Sequence, residues 1–184
     1  MIQTQTSLLT GHVTQMSNQG VLSAAASGLA AFITQYGADV DRVFGNSGIN
    51  PERLVSPTLS LHLPNYCKVL EFAAEQSGCD NFGLYYGQQF QPKSLGLIGY
   101  IALCSATLEQ ALLNMTQYFY LHQKDTLTRM LDLGAYWRID YQVQHGAILT
   151  RRQDAELTLG MFINVVREIL GPYYAPHAIH FEHP

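Results

Sequence analysis

The sequence predicts an α+β domain, with about five or six helices packed against a small sheet of about three strands that includes one antiparallel hairpin. Apolar residues recur at helical spacing through most of the chain, and the period changes to two only after Asp125. The many short, turn-separated strands of a jelly roll are not seen, so a jelly roll is not expected.

Residues 1–22 are mostly Thr, Gln, Ser, Asn and Gly and read as a flexible N-terminal arm; residues 23–184 read as one domain. Leu29, Phe32, Ile33 and Tyr36 share a helical face that ends at Gly37. A short helix over 39–44 follows, with Asp39 as its N-cap. Pro64 suits the first turn of the next helix, whose stripe is Tyr66, Val69, Leu70, Ala73 and Ala74 and whose stop is Gly78. A shorter helix over 82–88 is expected to present Leu84 and Tyr85. Gly96 and Gly99 precede a compact apolar segment, 101–104. Thr107 to Gln110 forms a capping-box pattern ahead of Leu108, Ala111, Leu112, Met115 and Phe119.

Leu127, Leu131 and Leu133 share a parity, Gly134-Ala135 supplies a turn, and Trp137, Ile139, Tyr141 and Val143 alternate with polar residues. This reads as a hairpin with one buried face. Thr150 to Gln153 offers a second capping box for a helix with Ala155, Leu159, Phe162, Val166 and Ile169 on one stripe, ending at Gly171-Pro172. A short last strand would turn Ile179 and Phe181 inward and His180 and Glu182 outward.

Composition narrows the function classes. The 184 residues are 47% hydrophobic and only 13% charged, with a net charge of −4. An ordinary domain carries about 25% charged residues. Adjacent cations occur only at Arg151-Arg152, too few for a phosphate-binding surface. Cys67, Cys79 and Cys104 are an odd set without a CxxC, where a secreted protein would usually pair its thiols, and are read as small buried apolar side chains. The first Lys or Arg is Arg42, so no charged signal-peptide start is present, and apolar runs such as 95–104 fall short of the ~20 residues of a membrane span. A soluble, cytoplasmic protein that does not contact membrane is expected.

Signals for chemistry are weak. His177, His180 and His183 recur every third residue, but on a strand His180 points away from the other two, so no metal site is expected. Gly96-x-x-Gly99 is followed by Tyr100 instead of the Lys or Ser/Thr of a phosphate loop, and reads as close backbone packing against a neighbouring helix. No G-x-S-x-G is present, so no catalytic residue is assigned and no enzyme or cofactor is expected.

Aromatic residues concentrate in the middle of the chain. A well-packed core with Tyr tips at the surface accounts for that; so does an apolar small-ligand pocket rimmed by a few polar groups. On the second reading the ligand-binding candidates are Tyr85, Tyr100, Tyr118, His122, Trp137 and Arg138, with the Arg able to clamp a carboxylate.

The order of motifs is similar to a known group. "VLEFAAEQSGCDNFGLYYGQQFQP", then "LGLIGYIALCSATLEQALLNMTQYFYL", the hairpin, the Arg-Arg helix and the closing "IHFEHP" resemble the amino-terminal, arabinose-binding-like domain of AraC-type transcriptional regulators. The most specific pieces are Gly96, Gly99 and Tyr100 followed by Ser105, Thr107, Leu108, Ala111 and Leu112, and then the terminal Phe181, His183 and Pro184. The resemblance spans about residues 25–184. It implies a sensory module that binds a small effector, forms a homodimer and controls DNA through a carboxy-terminal domain with two helix-turn-helix units, expected beyond residue 184. The Leu159, Phe162 and Val166 face is a candidate dimer surface, although the same stripe could face the core. The name does not carry arabinose over as the ligand; an amino acid, a fatty-acid-like or an aromatic metabolite suits the low charge equally. The alternative is a stand-alone small-molecule binding protein or an unrecognised enzyme on the same fold.

Overall fold

A computed structural model describes residues 20–183. Residues 1–19 of the expected arm, and Pro184, lie outside the described residues. The elements in order are β1 (Val21–Leu22), α1 (Leu29–Gln35), α2 (Val40–Ser47), β2 (Ser60–Leu61), α3 (Leu63–Ser77), α4 (Phe82–Gln89), α5 (Leu97–Leu103), α6 (Leu108–Tyr118), β3 (Thr126–Asp132), β4 (Trp137–Val143) and α7 (Arg152–Leu170). Short 3-10 turns fall at Ser23–Ala26, Pro51–Val55, Pro92–Leu95 and Phe119–Leu121. The fold is α+β and is not a jelly roll. Its strands form two separate two-stranded antiparallel sheets, β1-β2 and β3-β4, instead of one sheet.

Local chemistry sets several boundaries as expected. The Asp39 carboxylate accepts from the Arg42 N–H at 2.9 Å and starts α2. Pro64 stands in the first turn of α3, and Gly78 ends that helix in the left-handed conformation. The whole predicted α3 stripe, Tyr66, Val69, Leu70, Ala73 and Ala74, is buried. Thr107 caps α6, accepting from the Gln110 N–H at 3.1 Å. Gln110 does not reach back; its amide donates to Asn114 instead.

Tertiary packing overrides the pattern elsewhere. In α4 the buried residues are Phe82, Gly83, Tyr86 and Gly87, while Tyr85 is exposed. The two glycines let the α4 backbone lie directly on α7. A Cβ on Gly83 would sit 2.0 Å from the Gln153 carbonyl oxygen, and one on Gly87 2.4 Å from that of Leu157. Gly160 makes the reciprocal approach to Gly87. The close approach at Gly99 is to the Pro92 carbonyl, in the preceding 3-10 turn rather than in a helix.

α7 begins one residue later than its predicted box. Arg151 occupies the cap position without a side-chain bond, and Gln153 serves another purpose: its Oε1 accepts from the Gly83 N–H at 2.7 Å and its amide donates to the Asp80 carbonyl at 2.8 Å. Most of the first three turns of α7 is buried, polar residues included, so the helix runs through the middle of the fold. Phe162 and Val166 face the core, which removes them as a dimer surface.

In the hairpin Asp132 pairs with Trp137, so odd-numbered residues of β3 oppose even-numbered residues of β4. Leu127 and Leu131 therefore lie opposite Gln142 and Arg138, on the other face from Trp137, Ile139, Tyr141 and Val143. The expected single apolar face is split in two, and of the β4 residues only Val143 is fully buried. Among the described residues no strand forms after α7, and Ile179 and Phe181 are exposed instead of turned inward. Val21 and Leu22, read from sequence as part of the arm, pair with β2, and Val21 is fully buried.

One hydrophobic cluster runs from β1 through α1–α6 to β4 and α7. The Tyr66 and Tyr86 hydroxyls both donate to the Ala25 carbonyl, at 2.9 and 3.1 Å, so the buried phenols are satisfied by the backbone just before α1.

Candidate functional site

Two clefts flank the end of α4 and share Phe90 and Gln91 as a common wall. The first, about 280 Å³, lies between α1 and the end of α4 and is lined by Phe32, Gln35, Tyr86, Gln89 and Ser94 among others. The second, about 430 Å³, lies between the turn after α4 and the last turns of α7, with Gln88, Pro92, Asn164, Arg167 and Glu168 on its walls. Both are open depressions; the first places Phe32, Tyr86 and Phe90 beside the amides of Gln35, Gln89 and Gln91.

The walls are held from behind. The Tyr86 hydroxyl shares its one proton between the Ala25 carbonyl and that of Ser27, the nearer at 2.7 Å, and burial pushes its phenol above the ordinary range, so it stays a neutral donor. The two N–H groups of the Asn164 amide are shared among three carbonyls, those of Gly87, Gln88 and Phe90, at 2.8–3.0 Å from the nitrogen. This clamp ties the frayed end of α4 to α7 at the point where the clefts meet. Arg167 donates through Nε to the Tyr174 carbonyl at 3.1 Å.

A polar centre lies at the other end of α7. The Tyr141 hydroxyl donates to Asp154 Oδ2 at 2.5 Å, and the Gln123 amide donates to the Tyr141 oxygen at 2.7 Å. Asp154 is 1% exposed with no cation beside it; burial is the main cause that pushes its pKa up to about 6, opposed by the bonds from Tyr141 and Gln123. This centre joins hairpin, α7 and the turn after α6.

The six residues singled out from sequence are dispersed. Tyr85 is exposed on α4, its ring stacked near Tyr36, and Tyr100 is exposed on α5. Tyr118 packs half-buried at the end of α6. His122 is fully buried, edge-on to Phe119 at 5.6 Å, and burial pulls its pKa down to about 4, which leaves it neutral at pH 7. Trp137 and Arg138 are sequence neighbours on opposite faces of the hairpin, and Arg138 is ion-paired to Asp140 at 3.0 Å. None of the six lines either cleft.

The cleft residues carry one signal that the sequence reading passed over. Gln88-Gln89-Phe90-Gln91-Pro92 is an uncharged amide run around an aromatic, placed where a helix must end. Asn164 and Arg167 had none, since both sit inside the regular pattern of α7. Among the described residues no group of three or more His, Cys, Asp and Glu could hold a metal, and no helix is long and apolar enough to cross a membrane.

The fold is a helical α+β domain with two small surface clefts. The family model described as the arabinose-binding domain of AraC transcription regulator, N-terminal, matches residues 37–184. The chain therefore belongs to that family and is an amino-terminal regulatory domain of the AraC type. No curated protein matches the chain closely enough to be reported as a relative.

Proposed function

We propose that this domain senses a small-molecule effector in the adjoining clefts on either side of Phe90 and Gln91, and passes the signal along α7 to a DNA-binding domain that follows it in the regulator. The observation that carries the reading is the Asn164 clamp with the glycine contacts behind it. A ligand seated against Phe90 and Gln91 touches the segment that Asn164 ties to α7, next to the Gly87 backbone contact, and a push there is transmitted by a closely packed pair of helices. In this reading the protein binds without turnover, works as a cytoplasmic homodimer and reaches DNA only through the second domain. Trp137 and Arg138, exposed on the hairpin, are the alternative ligand contacts.

A thermal-shift screen of a metabolite library tests it. A ligand at a hundred times its Kd stabilises by about 2.7 kcal/mol, roughly 5–10 °C for a domain of this size. Hits are then repeated on Ala31→Trp, which fills the first cleft from its exposed rim, and on Arg138→Ala. Loss of the shift in Ala31→Trp alone supports the cleft. Loss in Arg138→Ala alone moves the effector to the hairpin and refutes the cleft.

A further inference from the structure

We infer that residues 175–183 form a releasable strap, docked across the hairpin base and the first turn of α7, which sets how the chain leaves the domain. The inference rests on the sensor reading for its purpose, and on separate contacts for its existence.

The strap is a chain segment without secondary structure. Among the described residues, 175–182 make no backbone-to-backbone hydrogen bond, and Ile179 and Phe181 are exposed. Side chains hold it instead. Glu182 accepts from the Gln142 amide of β4 at 2.7 Å and from Arg151 Nη2 at 3.0 Å. Arg151 also donates to the Val143 carbonyl at 3.1 Å, so one guanidinium spans hairpin and strap. One residue further, His183 stacks on Phe181 with ring centroids 4.8 Å apart, and its Nε2 lies 3.6 Å from Glu156. Glu156 in turn holds Arg152, which donates to Asn81 at the start of α4. The strap is thus moored to the hairpin and the start of α7, at the end remote from the clefts, and is linked to Asn81, just before α4, only through Glu156 and Arg152.

Its moorings suit reversible release. Exposed ion pairs contribute little each and weaken with salt, and Glu182 is 64% exposed. A segment held by a few such contacts lies near balance between docked and free, so a modest change at the start of α7 shifts its population. In a regulator with its DNA-binding domain after this one, docking shortens and aims the tether, and release lengthens it.

Pulsed electron-electron distance measurement tests this, with spin labels on native Cys104 and on Ala178→Cys, in a Cys79→Ser background. The expected wild-type result is a dominant narrow distance with a minor broad one. Glu182→Gln, a surface change that leaves the core intact, and Arg151→Ala should each raise the broad-to-narrow ratio about fivefold, and ~1 M salt should act in the same direction. The exchanged pair Arg151→Glu with Glu182→Arg should bring the ratio back towards wild type. A ratio that neither substitution nor salt moves, or a wholly broad distribution in the wild type, overturns the strap. No ligand enters this experiment, so its failure leaves the sensor reading standing, and an empty effector screen leaves the strap's docking untouched.

Discussion

Replacing Asp154 by Asn should make the stability of this domain depend on pH in a way the wild type conceals. In the fold the Asp154 carboxyl is pushed up to about 6 from an ordinary 3.8, with burial as the first cause. Between those values the folded chain keeps a proton that the unfolded chain has lost. Stability therefore falls as pH rises from about 4 to 6, and the gap of about two pH units corresponds to about 3 kcal/mol. His122 acts with the opposite sign. Burial lowers it to about 4 from 6.5, so the unfolded chain takes up a proton first, and stability of about 3 kcal/mol present above pH 6.5 is lost as pH falls towards 4.

The two groups oppose each other over the same window, and their sum in the wild type is nearly flat. The other ionisable groups facing Asp154 are Tyr66, Cys67 and Glu71 of α3 and Tyr141 of β4. None is a cation, so the bonds from Tyr141 and Gln123 offset the cost of burying the charge only in part. Urea unfolding followed by the fluorescence of Trp137, the single tryptophan, measures the effect. The stability of Asp154→Asn minus that of wild type should rise by about 3 kcal/mol between pH 4 and pH 7. An Asn amide without a partner adds a constant cost of about 1–3 kcal/mol, which shifts the difference curve without changing its slope. A difference that stays level across the window would refute the argument, because Asp154 would then titrate as an ordinary carboxylate.

Glycine substitutions should divide by what their new Cβ meets. Gly87→Ala and Gly160→Ala drive a methyl into backbone at 2.4 and 2.7 Å and should each cost about 2–4 kcal/mol, whereas Gly45→Ala in α2 meets open space and should stabilise by about 0.5–1 kcal/mol, all read by thermal denaturation. The two box patterns should separate as well: Thr107→Ala removes the α6 cap and should cost about 1 kcal/mol, while Thr150→Ala, which removes no cap bond, should stay within about 0.5 kcal/mol in the same assay.

Where a local interaction decides the structure, sequence sufficed. The α3 stripe, Pro64, Gly78 and the Asp39 and Thr107 caps act within a few residues of one another, and each appears where the pattern puts it. The hairpin strands were legible for the same reason. Their facing was not, because register follows the length of the turn between Asp132 and Trp137, and that choice moves Leu127 and Leu131 to the other side. Two-residue strands such as β1 and β2 carry no period at all; they exist because distant segments happen to meet.

Composition, low charge, the run of helices and the motif order through "IHFEHP" are properties of the chain itself, and they sufficed to predict an α+β domain of an AraC-type regulator. Which residues stand together was decided in three dimensions. Gly83, Gly87 and Gly160 carry no apolar signal, yet they create the closest helix contact because an absent side chain matters only when another backbone arrives to use the space. Gln153 and Asp154 look like surface residues of an amphipathic helix, and they are buried because α4, the hairpin and Gln123 supply their hydrogen bonds. The second cleft follows from the same contact, since its walls belong to segments some 70 residues apart that only the crossing of α4 and α7 brings to Phe90.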